Sequence, residues 1–155
     1  MDRDRLDPAS ADHPADALTP IEPRRDAPAG PVVVSVCTTC KSADGSATVG
    51  PQMFDAIKAG LGAGDPGVVV RPVQCLSVCK RPATVAVSSP DGYTFLFGDL
   101  ETDSGSAALL DFVRSYQKSG YGLVPWRERA AVLRKGMVAR LPPARWSPDD
   151  GRAPS

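Results

Sequence analysis

A run of β-branched residues that ends in two cysteines, Val32-Val33-Val34-Ser35-Val36-Cys37-Thr38-Thr39-Cys40, sets the fold of this chain. Its four valines predict a strand that is buried on both faces. A second valine-rich run occupies residues 68–73 and leads towards Cys75 and Cys79. Because Pro72 cannot donate a backbone hydrogen bond, we expect this second strand at an edge of the sheet.

The segments between and after these runs predict a helix, a hairpin and a second helix. A helix beginning at Pro51 has apolar residues at helical spacing and ends near Gly60. Two strand-like runs, 83–88 and 93–97, are joined by a turn with proline and glycine in favourable positions. Residues 104–119 then carry apolar side chains at helical spacing. The sequence thus predicts a single α/β domain with a β-α-β-β-β-α core and a four-stranded mixed sheet.

The two ends of the chain are polar and rich in proline, and we expect them to be disordered. Residues 1–30 form the predicted disordered arm, and residues 144–155 form the predicted disordered tail. The folded domain is predicted over residues 31–120. Residues 121–143 are expected to pack on it as a helical extension, with one helix over 125–135 that a glycine caps.

Charge and hydropathy argue against several kinds of partner. The chain has 18 Lys and Arg against 18 Asp and Glu, so no net field draws it to nucleic acid or to an anionic membrane. No stretch approaches the roughly 20 apolar residues that span a bilayer. The first 30 residues contain no apolar signal segment. We therefore predict a cytoplasmic protein with no nucleic-acid and no membrane partner.

Four cysteines are the main chemical feature, because in a reducing compartment they indicate metal or redox chemistry rather than disulfides. A right-handed parallel βαβ unit places the carboxyl ends of both strands at one edge of the sheet. The two cysteine pairs are therefore predicted to face each other and to ligate one metal centre. They are Cys37 with Cys40 and Cys75 with Cys79. The single histidine, His13, lies in the polar arm, so a four-ligand site would be all-thiolate.

The spacing of the pairs is compatible with several functions. An iron-sulfur cluster uses four thiolates, and a zinc ion or another metal uses ligand pairs of the same kind. Thiol–disulfide exchange needs an attacking and a resolving cysteine, which Cys37 and Cys40 supply while the second pair stays unexplained. Four inert buried thiols are a further interpretation. We favour the cluster, because the domain has its own predicted core and soft thiolates suit iron-sulfur centres.

Several ordered motifs resemble a known family. They are Val36-Cys37-Thr38-Thr39-Cys40, Cys75-Leu76-Ser77-Val78-Cys79-Lys80-Arg81-Pro82, Phe97-Gly98-Asp99-Leu100 and Pro125-Trp126-Arg127-Glu128-Arg129. The chain resembles an uncharacterised bacterial family of predicted metal-binding proteins, and its layout resembles the thioredoxin-like 2Fe-2S ferredoxins. The resemblance implies a thioredoxin-like fold, a metal or 2Fe-2S centre on the four cysteines and an association with cobalamin biosynthesis genes. It also puts Pro82 where such folds commonly hold a cis-proline.

Positive residues flank the predicted centre and the extension. Lys80 and Arg81 are expected to raise the reduction potential of a net negative cluster, with ordinary solvated surface charge as the alternative explanation. The extension contributes further arginines that are expected to dock an acidic redox partner or an anionic cofactor, although a solvated helix face is the simpler explanation. These are Arg127, Arg129 and Arg134.

The predicted domain holds no phosphate-binding loop and no histidine base, so we do not expect an enzyme. The sequence predicts a ferredoxin-like electron carrier with an unknown redox partner. The alternatives are a protein that binds zinc or another metal and is linked to cobalamin biosynthesis and, third, a thiol–disulfide oxidoreductase. A homodimer with a cluster shared between two chains stays open.

Overall fold

The computed structural model describes residues 30–144 of the 155-residue chain. The predicted disordered arm and tail lie outside these residues, except for Gly30 and Ala144 at their inner ends. The described part forms five strands, three α-helices and two short 3-10 helices. None of the helices within residues 30–144 is long and apolar enough to cross a membrane.

One mixed sheet contains all the strands of the described chain. They are β1 (Val32–Cys37), β2 (Val68–Val73), β3 (Val85–Ser88), β4 (Thr94–Phe97) and β5 (Met137–Leu141). Their order in the sheet is β2-β1-β3-β4-β5, in which β1 and β2 are parallel and every other neighbouring pair is antiparallel. The β-α-β unit, the hairpin and the helix that follows it confirm the predicted α/β, thioredoxin-like core.

Helices α1 (Gly50–Gly60) and α2 (Thr102–Lys118) pack together and contribute to one core with the sheet. Phe95 and Phe97 of β4 meet the edge of Phe112 on α2, with ring centroids 5.1 Å and 5.0 Å away. Each edge-to-face pair of this kind adds about 0.5–1.5 kcal/mol beyond the burial of apolar area. These ring contacts attach α2 to β4, which is separated from β2 by two strands of the sheet.

The position of β1 between β2 and β3 explains its β-branched sequence. Val34 and Val36 are 0% exposed, and Ser35, which points to the opposite face, is only 4% exposed. Ser35 is satisfied there by a 2.8 Å hydrogen bond from Nε of Arg71 on β2. β2 is an edge strand, as the sequence predicts, and its Val69 is 48% exposed.

The predicted helix over residues 125–135 is wrong. The chain forms a 3-10 turn, Trp126–Glu128, and then a short helix α3, Ala131–Lys135. Between them Arg129 is extended, with φ −80° and ψ 137°, and its side chain turns inward to 7% exposure. An extended residue whose side chain enters the protein ends the helical path at this point.

The sheet of the described residues has five strands and not the predicted four, because the chain after α3 forms β5. β5 pairs antiparallel with β4, and Phe95 lies opposite Arg140 while Phe97 lies opposite Met137. This pairing satisfies backbone groups of β4 that would otherwise form an open edge. The extension is therefore part of the sheet and not a purely helical addition.

Candidate functional site

The two cysteine pairs follow the ends of β1 and β2, which are parallel neighbours. The register places Cys37, the last residue of β1, opposite Val73, the last residue of β2. Cys75 therefore lies two residues beyond the level at which Cys37 leaves the sheet. The predicted adjacency of the two strands is confirmed, and it brings both cysteine-containing loops to one edge.

Hydrogen bonds join the first cysteine loop to the second. The backbone N–H and the hydroxyl of Thr38 donate to the carbonyl of Val73, and the hydroxyl of Thr39 donates to the carbonyl of Gln74. The Cys37 thiol lies 3.8 Å from the same Gln74 carbonyl and donates to it. Both loops are thus fixed relative to each other by groups that stand beside the thiols.

The first pair is buried. Cys37 is 2% exposed and Cys40 is 5% exposed, and both belong to the main hydrophobic core. The Cys40 thiol lies 3.6 Å from the hydroxyl of Thr84, which is 1% exposed. The carbonyl of Cys40 accepts backbone hydrogen bonds of 2.8 Å and 3.2 Å from Val49 and Gly50, which closes the loop that leads into α1.

The two buried thiols have opposite acidities. Burial alone raises the pKa of Cys37, but hydrogen bonds from Thr39, from the Cys40 thiol and from the backbone of Thr39 and Leu76 outweigh it, so the pKa is lowered. Burial raises the pKa of Cys40, and the neighbouring Cys37 raises it further against the hydrogen bond with Thr84. Cys37 is therefore the member of this pair that ionises first.

The second pair is exposed to solvent. The loop turns at Ser77, which has a positive φ of 60°, and its backbone N–H donates a 3.2 Å hydrogen bond to the sulfur of Cys75. A hydrogen bond with Cys75 and its negative charge raise the pKa of Cys79. The second loop therefore presents two neighbouring sulfurs to the solvent, and a backbone donor already faces one of them.

The four thiols are free and form two pairs, one buried and one exposed. Within residues 30–144, no three His, Cys, Asp or Glu side chains are grouped closely enough to hold one metal ion. Four thiolates are nevertheless the usual ligand set of a 2Fe-2S cluster, in which each iron takes two of them. The donor set therefore fits this cluster by its chemistry, one cysteine pair for each iron.

The two positive residues after the second pair, Lys80 and Arg81, differ in their contacts. Lys80 is exposed. The guanidinium of Arg81 forms a 2.7 Å ion pair with Asp99, and it donates to the carbonyls of Lys135 and Met137 at 3.1 Å and 3.4 Å. Arg81 thus ties the entry of β3 to the start of β5, and its effect on a reduction potential stays a prediction.

A cis peptide bond is present beside this segment. It joins Pro82 to Ala83, so it follows Pro82 instead of preceding it. The carbonyl of Arg81 accepts a 3.3 Å hydrogen bond from the hydroxyl of Thr84, the residue that contacts Cys40. The segment between the second cysteine pair and β3 thereby reaches the first pair through one side chain.

A family described as a protein of unknown function, DUF1636, matches residues 34–143. The chain belongs to this family. The match includes both cysteine pairs and extends through β5. None of the curated proteins matches this DUF1636 member.

Two solved structures are similar to this DUF1636 chain, and both are of a thioredoxin-like [2Fe-2S] ferredoxin from Aquifex aeolicus. One has a TM-score of 0.48 and 16% identity and covers 75% of this chain and 98% of its own. The other, a wild-type crystal structure at 1.5 Å, has a TM-score of 0.46 and 17% identity and covers 72% and 99%.

The arginines of the extension do not form the predicted basic helix face. Arg127 is exposed and Arg134 is half-buried, but Arg129 is 7% exposed, and its Nε and Nη2 donate to the carbonyl of Val124 at 3.0 Å and 2.8 Å. Arg129 as a surface docking residue is therefore wrong, because the helix on which it was placed is broken at this residue. Docking through Arg127 and Arg134 stays a prediction.

Sequence reasoning missed three residues that shape the site. Thr84 contacts Cys40 from β3, although it lies 44 residues away in the chain. The carbonyl of Gln74 receives bonds from Cys37 and Thr39, and Gly50 packs directly against the backbone of Thr38. The glycine at the first position of α1, directly before Pro51, was the one local signal, since it marks a place without room for a side chain.

Proposed function

We propose that this DUF1636 protein is a ferredoxin-like electron carrier that binds a 2Fe-2S cluster through its four cysteines. The observation that carries the proposal is the pairing of the thiols on two loops at the ends of adjacent parallel strands. Two thiol pairs on two joined loops supply two thiolates to each iron of a 2Fe-2S cluster. A zinc ion uses ligand pairs of the same kind, so the metal content of the protein distinguishes the two.

The two cysteine pairs have different roles at such a centre. When bound, a 2Fe-2S cluster accepts and releases one electron at a potential set by charge, hydrogen bonds and solvent exposure. Cys37 and Cys40 bind the buried side of the cluster from within the core, where water is excluded. Cys75 and Cys79 hold the exposed side, which is the side that a redox partner can approach. The backbone N–H of Ser77 stabilises negative charge on the sulfur of Cys75.

The test is purification without oxygen, followed by an ultraviolet-visible spectrum and by analysis of iron, acid-labile sulfide and zinc. We expect a brown protein with equal iron and sulfide that dithionite bleaches. Cys75→Ser should lose most of the iron, whereas Gln74→Ala in the same loop should keep it, since Gln74 acts through its carbonyl. A colourless protein that stays free of iron after anaerobic reconstitution contradicts the proposal, and one zinc per chain favours the metal-binding alternative.

Thiol–disulfide exchange is the second candidate, and one observation favours it. The pKa of Cys37 is lowered while that of Cys40 is raised, which is the combination that an attacking and a resolving cysteine require. In metal-free protein, this hypothesis predicts that iodoacetamide modifies Cys37 first near neutral pH, although the residue is buried. Modification of the exposed Cys75 and Cys79 alone would contradict it.

A further inference from the structure

A groove lies along β5, the edge of the sheet opposite to β2. We call it the β5 groove, and it is lined by residues 123–126, Arg129, Met137 and Arg140. Its volume is about 400 Å³, which falls within the range of small-molecule sites. The cysteine loops follow β1 and β2, and β3 and β4 separate β1 from β5. The β5 groove therefore lies apart from the cysteine loops.

Arg129 is a buried cation in this groove. In the part of the chain that the structure describes, only two of its five N–H donors form hydrogen bonds, and both donate to the carbonyl of Val124. Within residues 30–144, Arg129 forms no ion pair with a carboxylate. Burial, and then the charge of Arg140, lower its pKa. The Phe95 ring, whose centroid lies 5.0 Å from the guanidinium carbon, offsets part of the cost of a buried cation without a counter-ion, and an anion that reaches Arg129 relieves the rest.

The rest of the groove combines a second cation with apolar walls. Arg140 is exposed and stacks over the ring of Tyr93, with its guanidinium carbon 5.3 Å from the ring centroid. Trp126 is 54% exposed, and the guanidinium of Arg129 lies 5.4 Å from its ring. Pro125 and Met137 add further apolar surface, and no acidic residue among residues 30–144 lines the groove. The groove thus presents positive charge and apolar surface to one ligand.

We infer that the β5 groove binds a small monocarboxylate with an apolar body, whose carboxylate lies at Arg129 and Arg140 and whose body lies on Trp126. A planar guanidinium matches a carboxylate with two parallel hydrogen bonds. The apolar side chains of the groove favour an apolar ligand body, because removing their surface from water is favourable. A concave site with its principal cation at 7% exposure suits a small molecule better than the broad surface of a protein.

The experiment follows the fluorescence of Trp126 in the full chain carrying Trp146→Phe, since the sequence holds two tryptophans. Hexanoate is the probe, and hexanol is its neutral counterpart of the same length. We expect hexanoate to saturate with a dissociation constant of about 1 mM or less, and hexanol to bind at least about tenfold more weakly.

Arg140 is the residue to mutate, because it is exposed. Its replacement therefore leaves the core intact. Arg140→Gln should weaken hexanoate binding about tenfold. Arg127→Gln removes the same charge from an exposed neighbour that does not line the groove, and it should leave binding unchanged. Equal binding of hexanoate and hexanol, equal effects of the two substitutions, or no saturation by hexanoate would each overturn the inference.

Discussion

Thr38 donates two hydrogen bonds to one acceptor, the carbonyl oxygen of Val73, through its backbone N–H at 2.9 Å and its hydroxyl at 3.1 Å. This residue lies between the two buried cysteines, and Val73 ends the strand that leads to the exposed pair. These two hydrogen bonds to one carbonyl therefore fix the distance between the two cysteine loops.

Thr38→Val keeps the shape of the side chain and removes the hydroxyl bond. We expect the free energy of unfolding to fall by about 1 kcal/mol, measured by urea denaturation of the metal-free protein. Thr48→Val, in the exposed part of the same loop, is the matched control and should stay within about 0.5 kcal/mol. Equal losses in the two variants would show that the bond to Val73 has no special weight.

Gly50 should not tolerate a methyl group. A Cβ atom at this position would lie 2.7 Å from the Cα and from the carbonyl carbon of Thr38, and backbone atoms cannot rotate away. We expect Gly50→Ala to lower the free energy of unfolding by about 1–3 kcal/mol and to reduce iron uptake on reconstitution. Gly62→Ala is the control, because no atom lies within 4 Å of its new Cβ. An unaffected Gly50→Ala protein would mean that the loop moves freely.

Thr84 should tune the potential of a bound cluster. Its hydroxyl lies 3.6 Å from the sulfur of Cys40 and donates its one proton to the carbonyl of Arg81. Once Cys40 is a thiolate without a proton, a hydrogen bond between the two requires the hydroxyl to turn from this carbonyl to the sulfur. Hydrogen bonds to cluster sulfurs raise the potential, so Thr84→Val should lower the midpoint by up to about 60 mV in voltammetry. Thr94→Val on β4 serves as the control. A midpoint that does not move in either variant would remove Thr84 from the site.

Arg81 should act on stability through β5. Arg81→Gln loses the ion pair with Asp99 and the bonds to two carbonyls, and we expect a loss of about 1 kcal/mol in the free energy of unfolding. Lys80→Gln removes the same charge from an exposed neighbour, and its stability should not change. If both variants behave alike, net charge and not the tie to β5 determines the result.

The stability of the protein should fall at alkaline pH because of Tyr116. Burial raises the pKa of Tyr116 from 10.0 to about 12, against a weaker effect of its hydrogen bonds with Ser89. Between these values the unfolded chain loses the proton first and binds fewer protons, so the free energy of unfolding decreases as pH rises. The total decrease is about 2–3 kcal/mol, at about 1.36 kcal/mol for each pKa unit.

Tyr116→Phe isolates this effect. The variant loses the 2.7 Å hydrogen bond to the carbonyl of Tyr93 and is less stable near neutral pH. It should nevertheless show a smaller decrease in the free energy of unfolding between pH 10 and pH 12 than the wild-type protein, since all other groups cancel in the difference. Parallel curves for the two proteins would contradict the assignment to Tyr116.

The sequence by itself determined the central parts of the fold and the cysteines of the candidate site. The β-branched run of β1 predicts burial on both faces, and Pro72 predicts an edge for β2, because these patterns depend on local backbone geometry and on alternating side chains. Parallel pairing of β1 and β2 then brings the loops of Cys37 and Cys75 to one edge of the sheet. The sequence predicts this pairing because a strand, a helix and a second strand in one sheet almost always form a right-handed parallel unit.

Only the tertiary structure decided the C-terminal region and the surroundings of the thiols. β5 forms because β4 offers an open edge, and Arg129 leaves the helical path because its guanidinium finds the Val124 carbonyl. The contact between Cys40 and Thr84 likewise joins residues that are distant in the chain. Periodicity records which face of an element is apolar, but the partner of a strand edge or of a buried polar group is set by the packing of distant segments.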